Sequence, residues 1–331
     1  MFGIEFTAVN PKVRNWMSFL LKPEDMEYLV GASLNEVIET IRAKAKKESI
    51  ETGDIREIEQ ILKNAIVQYI HSGLNFLVGK PADFLQTWLE VYRIENLKTI
   101  ARALITGKPV DFLYKIKDKD WLTMDSVKDV RSFDEYLEFL RRTDYYTIAQ
   151  KAFPRIVEEK NTFFWEIALD NQYAHLLKKA AQKLSRPSRD AVKRLLFFSM
   201  EASRFQWIFR MRFQYGLSVE ETITFIPNVY KSLSKRGYAE LLESESPAAF
   251  FEKLHQRGII EEMVTDASSF EKLMNDAIVK RTHRYLGGIP FQFGIFLSFI
   301  ILKSMDVRKY IILLEGKRAG VDRAILEKLL I

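Results

Sequence analysis

Side chains able to act as acids, bases, nucleophiles or metal ligands are present in this chain, but they are scattered. Four histidines, His71, His175, His255 and His283, stand far apart. No two are three or four residues apart, the spacing that puts two imidazoles on one helix face for zinc. There is no cysteine, hence no disulfide, thiolate ligand or thiol nucleophile. No glycine-rich phosphate loop and no Gly-x-Ser-x-Gly elbow is written; Gly79-Lys80-Pro81 and Gly316-Lys317-Arg318 read as helix ends, and His71 and His283 as surface or cap residues. Paired carboxylates occur at Asp118 and Asp120 and at Glu220-Glu221, in a charged loop and at a helix start, where acids favour the positive end of the helix dipole. Glu59, Glu166 and Glu271 recur at one place in three similar segments, and a single active site has no use for three copies. These glutamates therefore read as architectural, through first-turn placement or pairing to a neighbouring helix. These residues write no recognisable catalytic, cofactor or metal motif.

The elements that carry these residues are helices. Trp88 to Gly107 reads as an amphipathic helix with Ile94, Leu97, Ile100, Ala101 and Leu104 on one face. Gly107 ends it, and Pro109 prevents a restart. Its pattern returns twice: Asn96-Leu97 superposes on Arg204-Phe205 and on Lys309-Tyr310, at spacings of 108 and 105 residues. A second helix repeats through Glu59, Glu166 and Glu271, spaced by 107 and 105. Helix starts at Ser33, Ser132 and Ser246 form a third set; the first two are capping boxes, and Pro247 follows the third at the position where its missing N–H costs nothing. Three recurring elements at one pitch predict an all-α fold of three repeated helical units of about 106 residues, with boundaries at 1–115, 116–230 and 231–331. That period is too long for a short-unit solenoid, whose units run roughly 20 to 50 residues. Lys115 to Asp129 and Ser232 to Ser246 read as the linkers. Strand signals are nearly absent.

Composition agrees. The chain is 47% apolar and 28% charged, with 24 Phe, 13 Tyr and 5 Trp, enough bulk for long helices to pack on one another. The net charge of +6 reads as an excess spread over solvated helix faces. In Arg204-Phe-Gln-Trp-Ile-Phe-Arg210-Met-Arg-Phe213 the aromatics take the core stripe and the arginines the rim, which favours core over a nucleic-acid surface. Met1 to Asn10 lacks the pattern of a secretory leader. The longest apolar run, Pro290 to Leu302, would span about 20 Å as a helix, short of a bilayer core near 30 Å, and reads as a buried helix. Arg102 and Arg210 coincide in the repeat, with Glu315 in the third copy, and read as partners in local ion pairs.

Asp306-Val-Arg-Lys-Tyr-Ile-Ile-Leu-Leu-Glu-Gly-Lys317, preceded by Pro290-Phe291 and Gly294, resembles the C-terminal signature of the central-stalk subunit of rotary V/A-type ATPases, called C in archaeal and bacterial enzymes and d in eukaryotic ones. Glu95 through Arg102, Glu166 with Leu169, Asp170 and Tyr173, and Leu140 with Thr143 and Tyr145 support the likeness, which covers nearly the full length. Lys309-Tyr310-Ile311 departs from the usual Asn-Leu-Arg, and Arg204-Phe205 from the usual Asn-Leu, marking a divergent member. The resemblance implies a non-catalytic connector: three units arranged as a funnel with pseudo-threefold symmetry, one end on the membrane's proteolipid rotor ring, the socket on the rotating shaft. It implies a peripheral position on the cytoplasmic face, and neither nucleic acid nor small-molecule substrate. Candidate contact residues are Asn96, Arg102, Lys108, Arg204, Arg210, Arg308, Lys309 and Lys317. The alternatives are an all-helical protein-binding adaptor with an open apolar groove, a helical metal enzyme with converging acids, and a nucleic-acid binder.

Overall fold

The computed structural model describes residues 6–45, 50–116, 120–226, 233–288 and 290–330, and no strand occurs among them. Asp118, Lys46, Lys47, Ser232 and Ile289 lie outside the described residues. Six short helices lead in or connect: α1 (Val9–Met17), α2 (Pro23–Gly31), α3 (Leu34–Lys44), α6 (Met124–Val127), α7 (Phe133–Leu140) and α8 (Tyr146–Glu159). Long helices carry the architecture: α4 (Ile55–Leu74), α5 (Lys80–Thr106), α9 (Phe163–Gln182), a continuous run α10 (Arg186–Val192) into α11 (Phe198–Phe209), α15 (Ala267–Leu286) and α16 (Phe293–Arg318). Between them and at the end lie α12 (Val219–Phe225), α13 (Lys235–Leu242), α14 (Pro247–Gln256) and α17 (Arg323–Leu330). Lys193–Phe197 and Arg210–Gln214 form π-helical turns, one joining α10 to α11 and one extending it.

Local chemistry sets the starts. Ser33 accepts from Glu36 N–H while Glu36 accepts from Ser33 N–H, a complete capping box, and Ser132 with Glu135 repeats it. Ser246 caps α14 with Pro247 just inside. The helices carrying Glu59, Glu166 and Glu271, α4, α9 and α15, are each 20 residues long. The helix read from Trp88 in fact begins at Lys80, because Gly79 adopts a positive φ of 64° and Pro81 sits in the first turn. The stretch read as the first linker is fastened: Ile116 and Leu122 are buried, and α6 interrupts it. The second linker holds α13, capped by Ser234 accepting from Gly237 N–H. A short turn over 141–145 separates α7 from α8.

Three antiparallel dockings place the long helices. α5 lies along α9, with Tyr173 Oη donating to Trp88 O at 3.5 Å near one end and Arg102 meeting Glu166 near the other. α11 and its π extension lie along α15, with the Arg281 guanidinium 3.5 Å over the Phe198 ring and Arg210 reaching Glu271 at 3.7 Å. α16 lies along α4, with Phe299 against Tyr69 at 5.0 Å and Glu315 facing Glu59. Because each docking is antiparallel, the turns α4–α5, α9–α10 and α15–α16 fall at one end of the helix array, and the Glu59, Glu166 and Glu271 contacts at the other. Gly73 permits the α16–α4 approach: a Cβ there would stand 2.4 Å from Phe296 Cζ. The run read as a buried helix is the first half of α16, where Phe293 through Ile301 are all buried.

Candidate functional site

Among the described residues no group of three or more His, Asp or Glu could hold a metal ion, and no helix is long and apolar enough to cross a membrane. His71, read as a surface or cap residue, is half-buried, and its Nε2 meets Ile116 O. It holds the segment after α5 against α4, a long-range contact that no helical spacing announces.

The chemistry that does recur lies at the seams. At the first, Arg102 Nε donates to Glu166 Oε1 at 2.8 Å and its Nη2 donates to Oε2, while Thr162 Oγ1 donates to Oε1 at 2.6 Å. Burial pushes the Glu166 carboxyl up, but Arg102 and Thr162 outweigh it and hold it below the ordinary value. Deeper in this seam the buried Lys98 ammonium donates to Asp170 at 2.6 Å and Glu95 at 2.8 Å. Burial disfavours that charge, yet the two carboxylates raise its pKa, so Lys98 stays protonated. At the second seam Arg210 and Arg308 both reach Glu271. At the third the arginine is replaced: Glu59 faces Glu315, with Lys63 3.6 Å from the Glu59 carboxylate and Arg318 on Glu315. Burial and the facing carboxylate push Glu59 up.

Replacing Glu315 by arginine should make the third seam like the first. Such a half-exposed pair is worth about 0.2–1 kcal/mol, and relief of the like-charge contact adds to it. Since a raised carboxyl loses stability as pH rises through its folded value, the gain should grow from acid to neutral pH. Thermal unfolding of Glu315→Arg at both pH values checks this; an equal or lower Tm at neutral pH would contradict it.

The sequence-read contact residues separate by environment. Asn96 is buried and clamps the segment after α5, its Nδ2 donating to Tyr114 O at 2.9 Å and its Oδ1 accepting from Tyr114 N–H at 2.7 Å. Arg204 is buried against Glu201 and stands 3.4 Å from Tyr238 Oη, tying α11 to α13. Arg102 and Arg210 are partly exposed at their seams. Lys317 Nζ donates to Val30 O at 2.6 Å and fastens α16 to α2. Gly316, read as a helix end with Lys317, lies inside α16, where Leu326 of α17 fills the space of a Cβ, 2.6 Å away. Lys108 is exposed beside a cleft of about 630 Å³. Arg308 and Lys309 line a smaller one of about 220 Å³ with Lys328. An apolar cleft of about 380 Å³ opens between α5, α9 and α11, lined by Trp88, Ile167, Tyr173, Met200 and Trp207.

The described residues form an all-helical body tied by repeated interhelical ion pairs. Residues 9–329 match the ATP synthase (C/AC39) subunit family, and the chain belongs to it. It is a rotary ATPase subunit of the stalk, not a catalytic one. It is similar to the C subunit of the A-type ATP synthase of Methanocaldococcus jannaschii, 20% identical over 260 residues, which cover 75% of this chain and 65% of that protein. The corresponding protein of Methanococcoides burtonii is 20% identical over 345 aligned positions, covering 98% and 94%. That of Pyrococcus furiosus is 21% identical over 302, covering 88% and 76%.

Proposed function

We propose that this chain is the central-stalk connector of its ATPase, seated on the cytoplasmic side between the proteolipid rotor ring and the rotating shaft, and that it carries torque between them while ion flow is coupled to ATP synthesis or hydrolysis elsewhere. The observation that carries this reading is the set of three antiparallel dockings, α5 on α9, α11 on α15 and α16 on α4, the last bringing the end of the chain onto its beginning. Three units at 1–115, 116–230 and 231–331 then form a closed funnel with pseudo-threefold symmetry. A body closed on itself and packed with aromatic side chains resists twisting, because close-packed interiors have low compressibility. Shaft and ring contacts need complementary shape and charge, and no reactive group. The accessible Lys108, Arg308 and Lys309 are the contact residues in this reading, with Arg102, Arg210 and Lys317 on its margin; Asn96 and Arg204 act from inside.

Tagged chain drawn from gently washed membranes of its own source should bring proteolipid and shaft subunits with it, identified by mass spectrometry. Recovery of the chain alone would overturn the connector and favour a helical adaptor, for which the 380 Å³ apolar cleft is the supporting feature.

A further inference from the structure

The positive charge of this protein is not spread. Residues 175–194, the end of α9, its turn and the start of α10, hold seven basic residues, Lys178, Lys179, Lys183, Arg186, Arg189, Lys193 and Arg194, against one acid, Asp190. That local excess of six equals the net charge of the whole chain, +6. Six of the seven are exposed, with Arg189 half-buried, and none is held in an ion pair among the described residues. The π turn at Lys193–Phe197 leaves Lys193 and Arg194 side by side in solvent.

Neighbouring units extend the patch. Lys80 of α5, itself paired with Asp83 at 3.2 Å, shares a cleft of about 520 Å³ with Lys179 and Lys183, with Glu90 on its wall. On the other side α15 packs on the first π turn, bringing exposed Arg284 beside Arg281, whose pKa burial lowers, with the Glu261 charge opposing and the Arg284 charge adding to the shift. The two flanking turns carry exposed apolar side chains: Val78, 71% exposed, before α5, and Phe291, 41% exposed, before α16. Phe291 is held at a φ of 60°, a left-handed conformation that a bulky residue adopts only where its surroundings impose it. All three turns lie at one end of the helix array, by the antiparallel dockings above. The exposed cations of the α9–α10 turn, flanked by apolar tips, fit a surface that offers negative headgroups with hydrocarbon just beneath.

We propose that this turn end of the molecule lies against an anionic membrane surface. The partner is anionic lipid: the cations meet headgroups, and Val78 and Phe291 reach the headgroup boundary. In the connector reading, on which the choice of a membrane rests, this gives the end that faces the ring and leaves the end with the Arg102–Glu166 seam for the shaft. Nucleic acid would satisfy the cations but gives the aliphatic Val78 no role.

Flotation of the purified full chain with vesicles is the test. Binding to vesicles of phosphatidylglycerol with phosphatidylcholine, none to phosphatidylcholine alone, and loss at about 0.5 M salt are expected, because surface attraction fades beyond a Debye length. Each cation near the surface is worth about fivefold in partitioning, so Lys179→Gln/Lys183→Gln/Arg186→Gln should weaken binding on the order of a hundredfold. These exposed positions leave the fold intact, which circular dichroism verifies. Lys128→Gln/Arg131→Gln, exposed at the opposite end, should bind as the unaltered chain does. Equal binding to both vesicle types, an unaffected triple variant, or tighter retention on single-stranded nucleic acid at the same salt would overturn the assignment. Absent vesicle binding with ATPase subunits still recovered from membranes would remove this proposal and leave the connector. Vesicle binding without those subunits would do the reverse.

Discussion

Phe299→Ala should lower the stability of the chain by about 3–5 kcal/mol, the range for emptying a buried phenylalanine site. Phe299 is fully buried in α16 and meets rings from two distant segments. It stands edge-on to Tyr69 of α4 at 5.0 Å and tilted on Trp16 of α1 at 5.4 Å, and Trp16 and Tyr69 touch each other at 5.1 Å. Such ring pairs contribute about 0.5–1.5 kcal/mol beyond the area they bury. Both partners are themselves buried, so the space left by the ring has little room to collapse. At about 2.1 cal/mol/K of unfolding entropy per residue, a chain of 331 residues loses about 1.4 °C in Tm per kcal/mol, so the fall is roughly 4–7 °C. Phe299→Leu, which keeps most of the volume, should cost less than about 1.5 kcal/mol. Val157→Ala, on an exposed face, should stay within about 0.5 kcal/mol. Because this cluster joins the end of the chain to its beginning, faster hydrogen exchange in α4 should accompany the loss. A Phe299→Ala protein that melts with the Val157→Ala control would show that another contact makes this closure.

How much of this was legible beforehand depends on range. Helix starts were readable because they are local: Ser33 and Glu36 satisfy each other's backbone across three residues, and nothing elsewhere is needed. The equivalence of Glu59, Glu166 and Glu271 was readable because repeated segments repeat their letters. What those letters touch was not. The arginine that meets Glu166 is 64 residues earlier in the chain, and only the docking of α5 on α9 brings it there. α13 was missed because it is short, eight residues, and lies in a stretch rich in Ser, Lys and Glu that reads as loop. Gly316 was misjudged for a related reason. A glycine near the end of a helical pattern usually marks the cap, but here it makes room for Leu326 of α17. The basic turn between α9 and α10 was in plain view. Its meaning needed the fold, which sets it at the same end as Val78 and Phe291, residues more than a hundred positions apart on either side.

Replacing Asp306 by asparagine should stabilise the protein at neutral pH and leave it unchanged in acid. Asp306 is buried on α16, and its Oδ2 accepts from Leu21 N–H at 2.9 Å, closing the turn between α1 and α2. Burial lifts its pKa from 3.8 to about 6; the Leu21 bond and the charges of Lys303, Lys309 and Lys44 offset only part of that cost. Below the unfolded value both states are protonated and the aspartate carries no penalty. Between about 4 and about 6 the folded state binds more protons than the unfolded, so stability falls as pH rises. Above that window the penalty is complete, on the order of 2–3 kcal/mol at about 1.4 kcal/mol per unit. Asparagine resembles the protonated acid: it is neutral, of nearly the same size, and its Oδ1 can accept from Leu21 N–H. The variant's stability should therefore lack this decline, and the two proteins should diverge progressively from about pH 4 upward. Denaturant unfolding at pH 4 and pH 7.5 measures the divergence. A gap of the same size at both values would mean that the substitution acts through packing and not through the carboxylate's charge. A variant less stable at pH 7.5 would mean that the ionised carboxylate is worth more to the three lysines than its burial costs.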